Sequence, residues 1–215
     1  MTAPIVTVRG EAQLQGPPDL ARLTCTLHAS GGSAEATRGR LATGSQAIVE
    51  LLGEFASALE RHSSSGLHVS PEFNRRTPTK ITGYRGTFST TIEVADFEAL
   101  SSLILGLSRL SDSQLDGPWW SLRRDNPMFR EVRLAAIADA RRRADDYAAA
   151  FGATVAELVE VSDLDGGFGG GARMAMALGM EMAADDAVFA FEPAEQTVSG
   201  QVTVRFTVRG GSAGG

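Results

Sequence analysis

Between Ala21 and Ala29 apolar and polar residues alternate. Ala21, Leu23, Cys25, Leu27 and Ala29 fall on one side of an extended chain, and Arg22, Thr24, Thr26 and His28 on the other. Successive side chains leave a strand in opposite directions, so this period of two predicts a half-buried strand. A short β-rich run, Ile5 to Arg9, precedes it and closes at Gly10, and Gly16-Pro17-Pro18-Asp19 supplies the turn between the two. The same period returns from Ile81 to Val94, where Tyr84, Phe88, Ile92 and Val94 share a side. It returns again at the end of the chain, where Val202, Val204, Phe206 and Val208 face in against Thr203, Arg205, Thr207 and Arg209. Leu67 to Asn74 pairs with the Ile81 strand as a hairpin across Arg75-Arg76-Thr77-Pro78-Thr79.

The period lengthens in three places. Ser33 is an N-cap, with Glu35 in the first turn, for a helix whose apolar positions Leu41, Ile48, Leu52, Phe55 and Leu59 recur at spacings of 7, 4, 3 and 4 and which Ser63-Ser64-Ser65-Gly66 ends. Asp96 caps a short helix with Phe97, Leu100, Ile104 and Leu107 inward, and Gly117-Pro118 leads into a strand from Trp119 to Arg123. Asn126-Pro127 opens the longest helix, which runs to Phe151 and stops at Gly152, with Leu134, Ile137, Ala144, Ala148 and Phe151 as its inner stripe. Val155 to Val161 is the next strand.

These elements give the order ββαββ-αβαβ-(insert)-β, an α+β fold with a largely antiparallel sheet packed against a long helix in each half. We expect one domain over 1–210, with sub-halves at 1–95 and 96–210, a glycine- and methionine-rich insertion at 165–187 and a flexible tail at 211–215. Composition narrows the functional classes. The 215 residues are 43% hydrophobic and 21% charged with net charge −6, which excludes a disordered tail. The sequence pI near 5.1 argues against a nucleic-acid partner, whose phosphates need clustered positive charge. No apolar run suggests a membrane span, and one cysteine permits no internal disulfide. Met1 to Arg9 shows neither a basic segment nor an apolar run of the kind that directs export, so the expected location is cytoplasmic.

Candidate chemistry is sparse. Gly167-Phe168-Gly169-Gly170-Gly171-Ala172 fits a dinucleotide-binding string, but it lies late in an antiparallel arrangement with no following parallel strand, and a loop is the better reading. Met174, Met176, Met180 and Met182 place four thioethers within nine residues, a set that could hold Cu(I); together with Leu178 they equally form an apolar contact stripe or a loop. His28, His62 and His68 are too scattered for zinc. Cys25 and His28 point to opposite faces of their strand, so they make no nucleophile-base pair. Arg141, Arg142 and Arg143 are matched at i,i+4 by Asp145, Asp146 and Asp139, a self-paired helix face. Arg75-Arg76 with Lys80 and Arg85 is less compensated. Trp119 and Trp120 are adjacent on a strand, so one ring leaves the core and marks an interface.

Several strings resemble the SIMPL domain family: Val8-Arg9-Gly10, then Pro18-Asp19-Leu20-Ala21, Gly83-Tyr84, and Ala135-Ala136-Ile137-Ala138-Asp139-Ala140-Arg141-Arg142-Arg143-Ala144 with Gly152 after it. Phe191-Glu192-Pro193-Ala194-Glu195 before Val202-Thr203-Val204-Arg205-Phe206 resembles the family's ending, with Ala194 where a glycine is usual. The resemblance implies an α+β fold, homo-oligomers among bacterial members, links to stress tolerance or surface antigens in some, and a signalling-kinase partner for an animal member; it supplies no catalytic residues. The expectation is a non-enzymatic, homo-oligomeric protein with a structural, interaction or stress-related role and no cofactor. Trp119, Trp120, Met174, Met176, Leu178, Met180 and Met182 are its interface candidates, and an unidentified protein is a further partner. The alternative is a small-molecule or Cu(I)-binding module built on the methionine segment, and a hydrolase ranks last.

Overall fold

A computed structural model of the chain describes residues 3–74, 76–77, 79–163 and 191–210. The insertion at 165–187 and the tail at 211–215 lie outside the described residues. The elements are β1 (Ile5–Gly16), β2 (Leu20–Gly31), α1 (Ala34–Glu54), β3 (Leu59–Phe73), β4 (Ile81–Val94), α2 (Leu100–Ser108), β5 (Ser113–Ser121), α3 (Met128–Ala150), β6 (Ala153–Ser162) and β7 (Gln196–Gly210). Type and order are as the sequence predicts, and the protein is mixed α+β. Its strands are shared between two antiparallel sheets, β1-β7-β6 and β3-β4-β2-β5.

Each sheet belongs to its own compact unit. One unit holds β1, α3, β6 and β7, and the other holds β2 to β5 with α1 and α2. Within the described residues the chain passes between them at Pro17/Pro18, Leu122/Arg123 and Pro193/Ala194, and residue 95 lies inside the four-stranded unit. The reason is long-range pairing: β1 is bonded along its whole length to β7, from Ile5 opposite Thr207 to Gly16 opposite Gln196. Local periodicity carries no information about such a partner.

In the four-stranded unit, β2 keeps the alternation read from sequence, with Leu23 and Cys25 fully buried and Arg22 and His28 exposed. The buried face meets α1 through Leu41, Ile48 and Leu52 and α2 through Leu100, Leu103 and Leu107. Removing one such leucine from water stabilises the fold by about 1.5–3 kcal/mol. Ser33 caps α1 by accepting the Ala36 N–H at 3.1 Å. The helix ends at Glu54, well before Ser63, and Leu59–Phe73 is strand. Glu60 to Ser64 offers no apolar face, and β4 takes its backbone instead, with Arg61 opposite Glu93 and Ser63 opposite Thr91. β5 likewise starts at Ser113 and runs through Gly117-Pro118, which an edge strand tolerates because one side of its backbone needs no ladder bond.

In the three-stranded unit, α3 starts within two residues of the predicted cap, and the Asn126 side chain accepts the Met128 N–H at 2.8 Å. Its buried stripe is Val132, Ala136, Ala140, Ala144 and Ala148; of the predicted stripe Ala144 and Ala148 are buried as expected, whereas Leu134, Ile137 and Phe151 are exposed. Small residues win because the helix lies almost on the sheet backbone. A Cβ built on Gly10 of β1 would come within 2.0 Å of the Ala136 carbonyl oxygen and 2.5 Å of the Ala140 nitrogen. No larger side chain fits that interface. β7 buries Val198, Val202, Val204 and Phe206, close to expectation.

Candidate functional site

The face of the four-stranded sheet turned away from α1 and α2 is polar. Its central rows read Arg22, Thr24, Thr26 and His28 on β2 and Glu93, Thr91, Ser89 and Thr87 on β4, directly opposed in that order. One row stands out. Arg22 opposes Glu93, Glu93 opposes Arg61 on β3, and Trp119 on β5 opposes Arg22 from the other side. Gly117 makes that last neighbour reachable: its φ is +112°, and a Cβ there would lie 2.7 Å from the Arg22 carbonyl oxygen, so only glycine lets β5 close in.

Glu93 is pulled under its two partners. Its side chain is 6% exposed although it lies on the helix-free face, while Arg22 and Arg61 are 49% and 69% exposed. Arg22 donates Nε at 3.2 Å and Nη2 at 3.0 Å to Oε1; Arg61 donates Nε at 2.7 Å to Oε2 and Nη2 at 3.0 Å to Oε1. The Arg61 hydrogen bond, followed by that from Arg22, holds the Glu93 carboxyl below the usual carboxylate range against the opposing effect of burial. The same bond raises the Arg61 guanidinium. With its oxygens engaged by four N–H donors, Glu93 is a poor proton acceptor and clamps the two guanidiniums in place. Beside it lies a cavity of about 250 Å³ lined by Arg22, Arg61, Ser63, Thr91 and Glu93.

The sequence-derived candidates scatter. Trp120 turns into the core and meets Phe97 edge-to-face at 4.9 Å, whereas Trp119 is on the opposite, polar face. Met174, Met176, Leu178, Met180, Met182 and the glycine string at 167–172 lie outside the described residues. Cys25 is buried, which pushes its thiol up to about 11, far from a reactive thiolate. His62 lies within β3, not at a helix end, and His28 and His68 flank Thr87 from either side. Among the described residues no group of three or more His, Cys, Asp or Glu could hold a metal. Of the predicted helix pairs, Arg143 meets Asp139 at 2.9 Å, but Arg142 also turns to Asp139 and not to Asp146. Asp139 accepts the Glu11 N–H at 3.1 Å as well, and this bond, ahead of the two arginines, holds its carboxyl low. Arg85 is paired with Glu72 at 2.7 Å.

The Arg22-Glu93-Arg61 row was not read from the sequence. Its only local signal is a charged residue between Ile92 and Val94, and its partners, 71 and 32 residues away, become visible only through strand register.

A family model described as SIMPL, protein of unknown function (DUF541), matches residues 6–206, nearly the whole chain. The chain belongs to the SIMPL family. The matched range takes in all four clustered residues of the polar row, from Arg22 to Trp119. No curated protein matches this SIMPL chain. Among its described residues no helix is long and apolar enough to cross a membrane.

Proposed function

We propose that this SIMPL chain is a non-enzymatic protein that acts by associating with copies of itself, in a structural or interaction role. The observation that carries the reading is a set of exposed large apolar side chains in the three-stranded unit. Tyr147 on α3 is 57% exposed and Phe151, just beyond its end, 86%; Leu158 and Val161 are 59% and 52% exposed on β6, which among the described residues has a neighbour on one side only. Single apolar residues are ordinary on a surface, but several large ones on an edge strand and the adjoining helix are a natural surface for contact between copies. Burying these side chains between copies would recover about 25 cal/mol for each Å² withdrawn from water. The non-enzymatic part of the reading is supported by Cys25 and Glu93, the first desolvated and the second locked between arginines. A reducing, cytoplasmic setting is proposed with it, in keeping with a free buried thiol.

Light scattering on the full chain at micromolar concentration tests the proposal. The expected mass is a multiple of the 22.6 kDa chain, falling to one chain when Leu158→Arg and Val161→Arg are combined. A parent protein that runs as a single chain removes the reading.

A further inference from the structure

Two guanidinium groups share one carboxylate in the polar row, and the sharing is incomplete. Every hydrogen bond that Arg22 and Arg61 give to Glu93 comes from the Nε–Nη2 edge. A guanidinium has five N–H donors, so three remain on each arginine. Among the described residues neither Nη1 has a hydrogen-bond partner. The row carries two positive charges against one negative charge; Glu60, the sequence neighbour of Arg61, adds a weaker pull on that residue. In a chain of net charge −6, such a local excess is unusual and is held in place by a carboxylate withdrawn from water.

The excess faces a cavity. Ser63 and Thr91 form the next row, directly opposite each other, and line the cavity together with Arg22, Arg61 and Glu93. A space of about 250 Å³ is below the range that takes a drug-sized molecule, and its lining suits a small charged group. Planar guanidinium edges offer paired, parallel N–H donors that match two oxygens of one oxyanion, and serine and threonine hydroxyls can donate to a third.

We propose that Arg22, Arg61, Ser63 and Thr91 form a binding site for a small oxyanion, a phosphate or carboxylate group, with Glu93 as the positioning residue that fixes both arginines. Glu93 lines the same cavity, but both of its oxygens are taken by the two arginines. It spends one edge of each guanidinium and thereby presents the other edge at the cavity, lowering the conformational cost of assembling two long side chains around a ligand. All of its residues come from the four-stranded unit, whereas the side chains proposed for association come from the three-stranded one.

Calorimetric titration of the full chain with inorganic phosphate, and separately with acetate, at constant ionic strength set by chloride, tests the proposal. One saturable site per chain is expected for at least one of the two anions, and which one binds assigns the group. Ser63→Asp brings a second carboxylate to the lining and should weaken binding by about tenfold or more, while His28→Asp, which adds the same charge on the same sheet face outside the lining, leaves it unchanged. Circular dichroism confirms that both variants fold. Saturation by neither anion overturns the proposal, as does equal binding by the parent and Ser63→Asp.

Discussion

Both units set a long helix against a sheet, but with opposite materials. α1 presents Leu41, Ile48 and Leu52 to Leu23, Leu27 and Ile92, and α2 adds three leucines, so the four-stranded unit is held by large interlocked side chains. α3 presents four alanines and Val132 to Val8, Val202, Val204 and Phe206, and at Gly10 the backbones nearly touch. The first arrangement buries much apolar area per residue, and the second gains contact by proximity. The difference shows on the surface. Because the alanine stripe leaves little room for large residues, Leu134, Ile137 and Tyr147 of α3 point to water, and it is this unit that supplies the surface proposed for association.

The contrast predicts opposite responses to side-chain size. Leu103→Ala, at a position with no exposure, should cost about 2–5 kcal/mol in urea unfolding of the full chain, since it removes transfer energy and leaves a cavity. A loss under about 1 kcal/mol would mean that the large-residue core collapses freely and that the comparison misplaces its strength. Gly10→Ala adds only a methyl group, yet should cost about 1–3 kcal/mol, because the new carbon meets backbone atoms that cannot rotate away. Gly39→Ala on α1 is the matched control. Nothing lies within 4 Å of its new Cβ, and removing a helical glycine should stabilise by about 0.5–1 kcal/mol. If both glycine substitutions shift the unfolding midpoint the same way, close approach at Gly10 is not what sets the α3 packing.

Where the sequence was legible and where it was not follows from the range of the forces involved. The alternation from Ala21 to Ala29 and the cap at Ser33 are local, and both appear as read. On α3 the periodicity places Ala144 and Ala148 correctly but cannot tell that the large residues Leu134 and Ile137 face out. The true constraint, backbone proximity at Gly10, comes from a residue more than a hundred positions away. The same holds for Leu59 to Ser64, which β4 draws into a strand, and for the division of strands between two sheets, which pairing of the chain's ends decides. The candidate site was the least legible part. Arg22 could be placed on an outward strand face, but only the registers of β2, β3 and β4 put Glu93 beneath it and Arg61 beyond it.

The two polar sheet faces extend the comparison to charge. On the three-stranded sheet the pairs are exposed at both ends: Arg205 and Glu160, 3.0 Å apart, are 43% and 52% exposed. Such pairs contribute about 0–1 kcal/mol, so Glu160→Gln should change stability by about 0.5 kcal/mol or less. Glu93→Gln should cost about 2 kcal/mol at neutral pH, because it removes a charged acceptor and leaves two guanidiniums facing an amide. The cost should also titrate. Glu93 is held below its ordinary value in the folded chain, so its contribution is complete above the unfolded pKa of about 4.3 and is lost as pH falls through the lower folded value. Urea unfolding followed from neutral pH into acid should therefore show the parent and Glu93→Gln separated by a constant gap down to about pH 4.3 and converging below it, with Glu160→Gln tracking the parent throughout. A gap that persists unchanged into strong acid would assign the effect of Glu93→Gln to packing, and the buried clamp would then be no different in kind from the exposed pairs of the other sheet.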